Sequence, residues 1–197
     1  MRCQNASSSI QWSIVLPAYN EAARILPYLR SITSYMQDRR QSYEVLVVDD
    51  GSTDATASVV ETAASSAPEI QLLQAPLHQG KGAAVRRGMQ AAVGRLQLFA
   101  DADGATPIHE LARLEQAVAN GADVAIGSRA LASQLPGYAV QAPLYRTILS
   151  NLFKSVVPQS GLTGITDTQC GFKLFRQTVA ADLLDRKSTR LNSSHRL

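Results

Sequence analysis

The sequence predicts a single α/β domain built on a mostly parallel sheet, and three observations carry that expectation. Short apolar runs alternate with amphipathic helical stretches over most of the chain, as βαβ units require. The residues best suited to chemistry stand directly after the apolar runs, where open parallel sheets bind ligands. The chain of 197 residues, 45% hydrophobic and 18% charged, is long and apolar enough to bury one core.

The strand candidates are 13–16, 44–48, 70–73, 96–100 and 124–126. Each is a short apolar run of the kind that a sheet covered on both faces demands. Between them, Ile25, Leu29, Ile32 and Met36 share one helical face, as do Ile108, Leu111, Leu114 and Val118. Pro27 belongs in the first turn of its helix, because in the interior it would cost about 3 kcal/mol. Thr53 or Asp54 can cap the helix that follows Asp50-Gly51-Ser52. Arg87 is expected on the exposed side of the helix that begins near Lys81.

Several function classes are excluded early. A net charge of +3, without a dense basic run, argues against a nucleic-acid partner. Cys3 and Cys170 have neither metal spacing nor the pattern of a disulfide framework, so a reducing compartment is the default. No apolar run is long enough to span a bilayer, and the first ten residues do not make a signal peptide. The first strand ends in Pro17-Ala18-Tyr19-Asn20-Glu21, without the glycine fingerprint of a dinucleotide fold. The Gly80-Lys81-Gly82-Ala83 stretch fails as a Walker A loop for want of a Ser or Thr after Lys81. His78, His109 and His195 share no spacing that suggests a metal site or triad, and read as incidental.

Two acidic clusters remain. Asp49-Asp50-Gly51-Ser52-Thr53-Asp54 closes the second strand, and adjacent carboxylates there must point to opposite faces, one for structure and one for a ligand. A turn followed by a helix cap accounts for the same residues. Asp101-Ala102-Asp103-Gly104 closes the fourth strand, where two acids separated by one residue can face one cation. Mg²⁺ or Mn²⁺ suits that arrangement, since both favour oxygen ligands and bind through one or two carboxylates plus substrate phosphates. Lys81, ahead of a helix, could place positive charge near such a phosphate.

Taken in order, P-A-Y-N-E, V-V-D-D-G-S-T-D, G-K-G-A-A-V-R-R-G, D-A-D-G-A-T, I-G-S-R and D-T-Q-C-G-F-K-L-F resemble the family-2 inverting glycosyltransferases. The fourth of these strings, D-A-D-G-A-T, with the last looks most like the dolichyl-phosphate β-glucosyltransferase branch and its prokaryotic polyprenyl-phosphate relatives. The resemblance covers roughly residues 12 to 184 and implies a GT-A fold, a Rossmann-like nucleotide-diphospho-sugar transferase domain. It implies that Pro17, Ala18, Tyr19, Glu21, Val48 and Asp50 line the base and ribose pocket. It further implies that Lys81, Asp101, Ala102, Asp103 and Gln169 border the nucleotide-sugar, with Asp101 and Asp103 as metal ligands.

The same resemblance places Arg129, Arg146 and Ser150 around an acceptor phosphate, and Arg146 and Ser150 stand one helical turn apart. Asp103, Arg129 and Asp167 would serve catalysis, Asp167 standing where relatives with hydroxyl acceptors have their base. The implied reaction is inverting transfer of a hexose, glucose above others, from a UDP-sugar to a polyprenyl phosphate. The protein would then work by peripheral contact at the cytoplasmic face of a membrane. The alternatives are a family-2 enzyme with a hydroxyl acceptor, a nucleotidyltransferase, and a nucleotide-binding fragment without turnover.

The domain reading is a disordered N-terminus over 1–11, a GT-A domain over 12–184 that lacks its C-terminal part, and a non-native tail over 185–197. The tail has no apolar periodicity and resembles translated adaptor read-through; a disordered basic tail is the alternative.

Overall fold

The computed structural model describes residues 10–127 and 170–183. The chain divides into two compact units, 1–125 with 171–197 and 126–170. Almost all of the second lies outside the described residues, and the fold below is that of the first. The expectations for residues 1–9 and 185–197 also fall outside them.

Six strands form one sheet: β1 (Trp12–Ala18), β2 (Tyr43–Asp49), β3 (Ile70–Gln74), β4 (Leu96–Ala100), β5 (Val124–Ile126) and β6 (Phe172–Arg176), in the order β3-β2-β1-β4-β6-β5. The β1–β2, β1–β4 and β2–β3 pairs are parallel, and β4–β6 is antiparallel. All five predicted strands are present. The sixth was not expected: the stretch read above as a motif also supplies an antiparallel strand, placed between β4 and β5.

Among the described residues four helices connect strands: α1 (Ile25–Asp38), α2 (Thr56–Ser66), α3 (Lys81–Ala91) and α4 (Leu111–Ala119), the last preceded by a 3₁₀ turn (Ile108–Glu110). The predicted faces are the buried ones. Ile25, Leu29, Ile32 and Met36 of α1 are buried, as are Ile108, Leu111, Leu114 and Val118. Pro27 is the third residue of α1, where its missing N–H has no intrahelical acceptor to leave unpaired. Arg87 is exposed.

Alternation along the strands sends successive side chains to opposite faces. Val15, Leu46, Val48 and Phe99 pack with Ala84, Met89 and Ala92 of α3 and its C-terminal end, and with Ala180 from the helical stretch 177–183. Gly88 is what lets α3 come so close, since a Cβ there would overlap Val15 and stand 2.8 Å from Val48. At the amino ends of the strands, Ser13 Oγ donates to Glu44 Oε1 at 2.5 Å, and Val93 N and Gly94 N donate to the same pair. Glu44 is buried with its hydrogen bonds made, which is the condition for keeping a polar group there.

The strand order reverses at β1, which has β2 on one side and β4 on the other. Pairing of β1 with β2 runs to Ala18–Asp49, whereas pairing with β4 stops at Val15–Phe99. Pro17 has no N–H with which to continue a ladder. β1 and β4 therefore part at their carboxyl ends, and a crevice at such a switch point is where open α/β sheets take their ligands.

Candidate functional site

The loops after β1 and β2 are tied together first. Asn20 takes a left-handed backbone, φ 55°, which asparagine tolerates better than most residues. In that conformation its Oδ1 accepts from Thr53 N at 2.9 Å and from Asp54 N at 3.3 Å. Asn20 N donates to Ser52 Oγ, Glu21 N to Thr56 Oγ1 and Ala22 N to Asp54 Oδ2. The P-A-Y-N-E and D-D-G-S-T-D strings are thus two halves of one hydrogen-bonded structure. Helix α2 begins at Thr56 with Ala55 at its N-cap, so neither Thr53 nor Asp54 holds the cap position itself. Asp54 stands one residue earlier and still accepts from Thr56 N at 2.9 Å. The hydrogen bond from the Thr56 hydroxyl, ahead of the backbone donors, holds the Asp54 carboxyl below the usual carboxylate range.

Asp49 and Asp50 are both buried. Asp49 Oδ1 accepts from Ser52 N at 3.1 Å and shapes its own turn. Asp50 reaches across to the segment before α3, accepting from Gln79 N at 3.0 Å and Gly80 N at 2.7 Å. His78 Nδ1 lies 2.8 Å from Asp50 Oδ2. The His78 ring rests on Tyr19, with centroids 4.0 Å apart and planes tilted by 31°. His78 is therefore not incidental. A lone histidine without metal spacing gave no signal for it; the signal is the buried carboxylate that holds it. Gly51 makes the approach possible, because a Cβ there would come within 2.8 Å of His78 N. Beside this segment lies a cavity of about 430 Å³ lined by Asp49, Gly51, Ser52, Gln74, Ala75 and Pro76.

The end of β4 carries the second cluster. Asp101 N donates to Gly171 O at 3.0 Å, which joins the D-A-D-G string to the start of β6. Gly171 has to be a glycine here, since a Cβ would overlap the Asp101 carboxylate. Lys81 Nζ stands 2.5 Å from Asp101 Oδ1, an ion pair by distance rather than an aligned hydrogen bond. No hydrogen bond reaches that buried oxygen among the described residues. Lys81, expected to lend charge to a phosphate, is thus already placed beside an acid of the Asp-x-Asp pair. Ala102 is buried between the two acids, and Asp103 is exposed with Oδ1 accepting from Ala105 N at 3.0 Å.

Both acids bear on Tyr28. Its phenol pKa is pushed up by burial first, and then by the Asp101 and Asp103 charges. Tyr28 OH donates to Thr106 O at 3.1 Å, and its ring packs under Gly104, whose φ is +67°. Glu21 belongs to the same electrostatic neighbourhood. Burial raises its carboxyl pKa, Arg24 opposes that, and Asp103 and Asp54 add to it.

Among the described residues no group of three or more ligating side chains could enclose a metal ion. The two carboxylates still fit a divalent cation of the Mg²⁺ or Mn²⁺ kind. One offers a buried oxygen paired with Lys81 alone and the other an exposed side chain, and such cations complete their shell with phosphates and water. Pro17, Ala18, Tyr19, Glu21, Val48, Asp50, Asp101, Ala102 and Asp103 thus all lie on β1, β2, β4 or the segments after them, and Lys81 opens α3 after β3, all at the carboxyl end of the sheet. Arg129, Arg146, Ser150, Asp167 and Gln169 lie outside the described residues. No helix among the described residues is long and apolar enough to cross a membrane.

Comparison with known proteins agrees with this geometry. The model of the glycosyl transferase family 2 matches residues 13–184. Dolichyl-phosphate beta-glucosyltransferase ALG5C of Trichomonas vaginalis is 40% identical over 185 residues, which cover 88% of this chain and 54% of that protein. The dolichyl-phosphate beta-glucosyltransferase of Drosophila melanogaster is also 40% identical, over 191 residues, covering 90% and 58%. The chain therefore spans little more than half the length of these relatives. Among solved structures, the mannosyltransferase PcManGT of Pyrobaculum calidifontis, in complex with GDP-Man and Mn²⁺, superposes with a TM-score of 0.60 at 22% identity, covering 88% of this chain and 46% of that one. The fold is that of the GT-A glycosyltransferases, a mixed and mostly parallel sheet with helices on both sides.

Proposed function

The chain belongs to glycosyl transferase family 2, and from that premise we propose that it forms the donor-binding part of an enzyme transferring glucose from UDP-glucose to a polyprenyl phosphate. The observation that carries the reading is the meeting of Lys81, Asp101 and Gly171 beside Asp103, at the mouth of the crevice between β1 and β4. Relatives at 40% identity bearing the dolichyl-phosphate beta-glucosyltransferase name support the sugar and the acceptor.

In this reading Pro17, Ala18, Tyr19, Glu21, Val48 and Asp50 border the base and ribose, and Asp101 and Asp103 would hold a divalent cation. A bound divalent cation would supply charge neutralisation as the nucleoside diphosphate departs. The chain's own contribution is position and field. Gly171 leaves room for the Asp101 carboxylate, the turn after β4 fixes Asp103, and Lys81 adds positive charge on the same side. Arg129, Arg146 and Ser150 would hold the acceptor phosphate, a task that suits the planar fork of arginine. With a second pKa near 6, that phosphate is already an anionic nucleophile at neutral pH. Asp167 would then orient the acceptor rather than take a proton from it, and Gln169 would border the donor. Contact with the lipid would be peripheral, at the cytoplasmic face.

Calorimetric titration of UDP with Mn²⁺, and again with EDTA, tests the donor site. Binding that needs the metal and is lost in Asp103→Ala is expected. Equal affinity in metal and chelator would remove the metal from the reading. Radiolabel transfer to polyprenyl phosphate from UDP-glucose, set against GDP-mannose, tests the sugar and the base together.

A further inference from the structure

We infer that Tyr28 is a positioning residue for the cation site: it clamps the turn that carries Asp103 to helix α1 and so sets where that carboxylate stands relative to Asp101. This rests on the proposed reading of the two acids as holders of a divalent cation, and it adds a residue from outside the loops that follow the strands.

The turn after β4 is fastened at both ends. Upstream, Asp101 N donates to Gly171 O at 3.0 Å, at the start of β6. Downstream, the Tyr28 hydroxyl donates to Thr106 O at 3.1 Å, from a residue 78 positions earlier in the chain. Between these anchors, Gly104 N donates to Asp101 O at 3.3 Å and Ala105 N to Asp103 Oδ1 at 3.0 Å. Those two bonds shape the turn but join it only to itself.

Tyr28 differs from its neighbours on α1. The buried face of that helix is Ile25, Tyr28, Leu29, Ile32 and Met36, and Tyr28 alone among them carries a hydroxyl. A buried phenol needs a partner for its O–H, and the Thr106 carbonyl supplies one. Burial first, and then the charges of Asp101 and Asp103, raise the phenol pKa well above its ordinary value, so the group that donates at neutral pH is the intact O–H.

The ring adds a second hold. Gly104 stands at φ +67°, and a Cβ on it would lie 3.0 Å from Tyr28 Cδ2 and 3.1 Å from Cγ. The backbone next to Asp103 therefore rests directly on the aromatic ring. Asp103 is exposed, so its carboxylate goes where the backbone beneath it goes. A cation shared by Asp101 and Asp103 needs their oxygens at one separation. If the turn is released to sample other arrangements, the apparent affinity falls with the fraction that stays competent.

The test is Mn²⁺ affinity by electron paramagnetic resonance, measured well below each Tm, for the intact wild type, Tyr28→Phe, Tyr28→Leu and Ile32→Val. Phe keeps the ring under Gly104 and loses the donor, so affinity should fall about two- to fivefold, the scale of one hydrogen bond. Leu removes the ring as well, and the loss should reach about tenfold, as for other groups that hold a metal ligand in place. Ile32→Val trims the same buried face one turn further along α1. It should lower Tm while leaving Mn²⁺ affinity within about twofold of the wild type. Should the Leu variant fail to fold, the Phe variant decides alone. Wild-type Mn²⁺ affinity in the Tyr28 variants, with only Tm lowered, would overturn the inference and leave the cation site standing. A loss in Ile32→Val as large as in Tyr28→Phe would overturn it too, since any loosening of α1 would then suffice. A wild type that binds Mn²⁺ no better than Asp103→Ala would remove the cation reading and this inference with it.

Discussion

Gly171→Ala is the perturbation that reads most directly on the candidate site. Gly171 is buried at the start of β6, and its backbone is not in the left-handed region, so alanine meets no dihedral penalty. The conflict is one of space: the added Cβ would fall within the volume of the Asp101 carboxyl group. Either Asp101 rotates away from Lys81, or β6 retreats and lengthens the 3.0 Å hydrogen bond from Asp101 N to Gly171 O. Overpacking of this kind costs about 1–3 kcal/mol. In a chain of this size that corresponds to a fall in Tm of roughly 4–8 °C for the middle of the range.

A double-mutant cycle identifies the cause. Asp101→Ala removes the group that the new methyl would strike, so Gly171→Ala should cost less in that background, with a coupling of at least ~1 kcal/mol. In Mn²⁺ the single variant should also weaken UDP about tenfold, equivalent to about 1.4 kcal/mol. Thermal denaturation and calorimetry supply the two readings. Equal losses of Tm in both backgrounds would refute the steric argument, and unchanged UDP affinity would refute the link from Gly171 to the donor site.

Four further outcomes are expected. Asn20→Ala should destabilise by about 1 kcal/mol more than Asn20→Gly in urea unfolding, because both lose the bonds to Thr53 N and Asp54 N but only alanine resists φ 55°. Lys81→Met should raise the affinity for Mn²⁺ alone roughly two- to fivefold by electron paramagnetic resonance, since a partly exposed ion pair no longer competes for Asp101; lower affinity would contradict that. The raised pKa of Glu21 means that its charged form is disfavoured by the fold, so the penalty is absent below the ordinary carboxylate range and grows as pH rises through the raised value. The Tm of Glu21→Gln minus that of the wild type should therefore become more positive between pH 4 and pH 7, and a flat difference would sink the argument. In a glucosyl-transfer assay on the full-length protein, Asp167→Asn should lose part of the activity and Asp103→Asn nearly all, whereas equal loss with both substrates still bound would favour a hydroxyl acceptor and a true base at Asp167.

Where the fold was legible, the reason is local. β1, β2 and β4 are buried on both faces, so each is an apolar run that can be read without knowing its neighbours. The faces of α1 and α4 follow from the 3.6-residue period alone. β6 escaped because the antiparallel place of Phe172–Arg176 beside β4 is a long-range property, absent from any window around it. The candidate site divides the same way. Asp101 and Asp103 could be chosen from their place after a strand, and Asn20 stood inside a quoted string without a role of its own. What no local pattern could convey is that Gly171 lies against Asp101, or that Asp50 spends its carboxylate on residues 78–80. Both follow from the crossovers that bring separate strand ends to one edge of the sheet. The loops at that edge are held by hydrogen bonds to one another's backbone, so several polar residues of the motifs serve first to fix the loops. The side chains of Tyr19, His78 and Asp103 stay exposed at that edge.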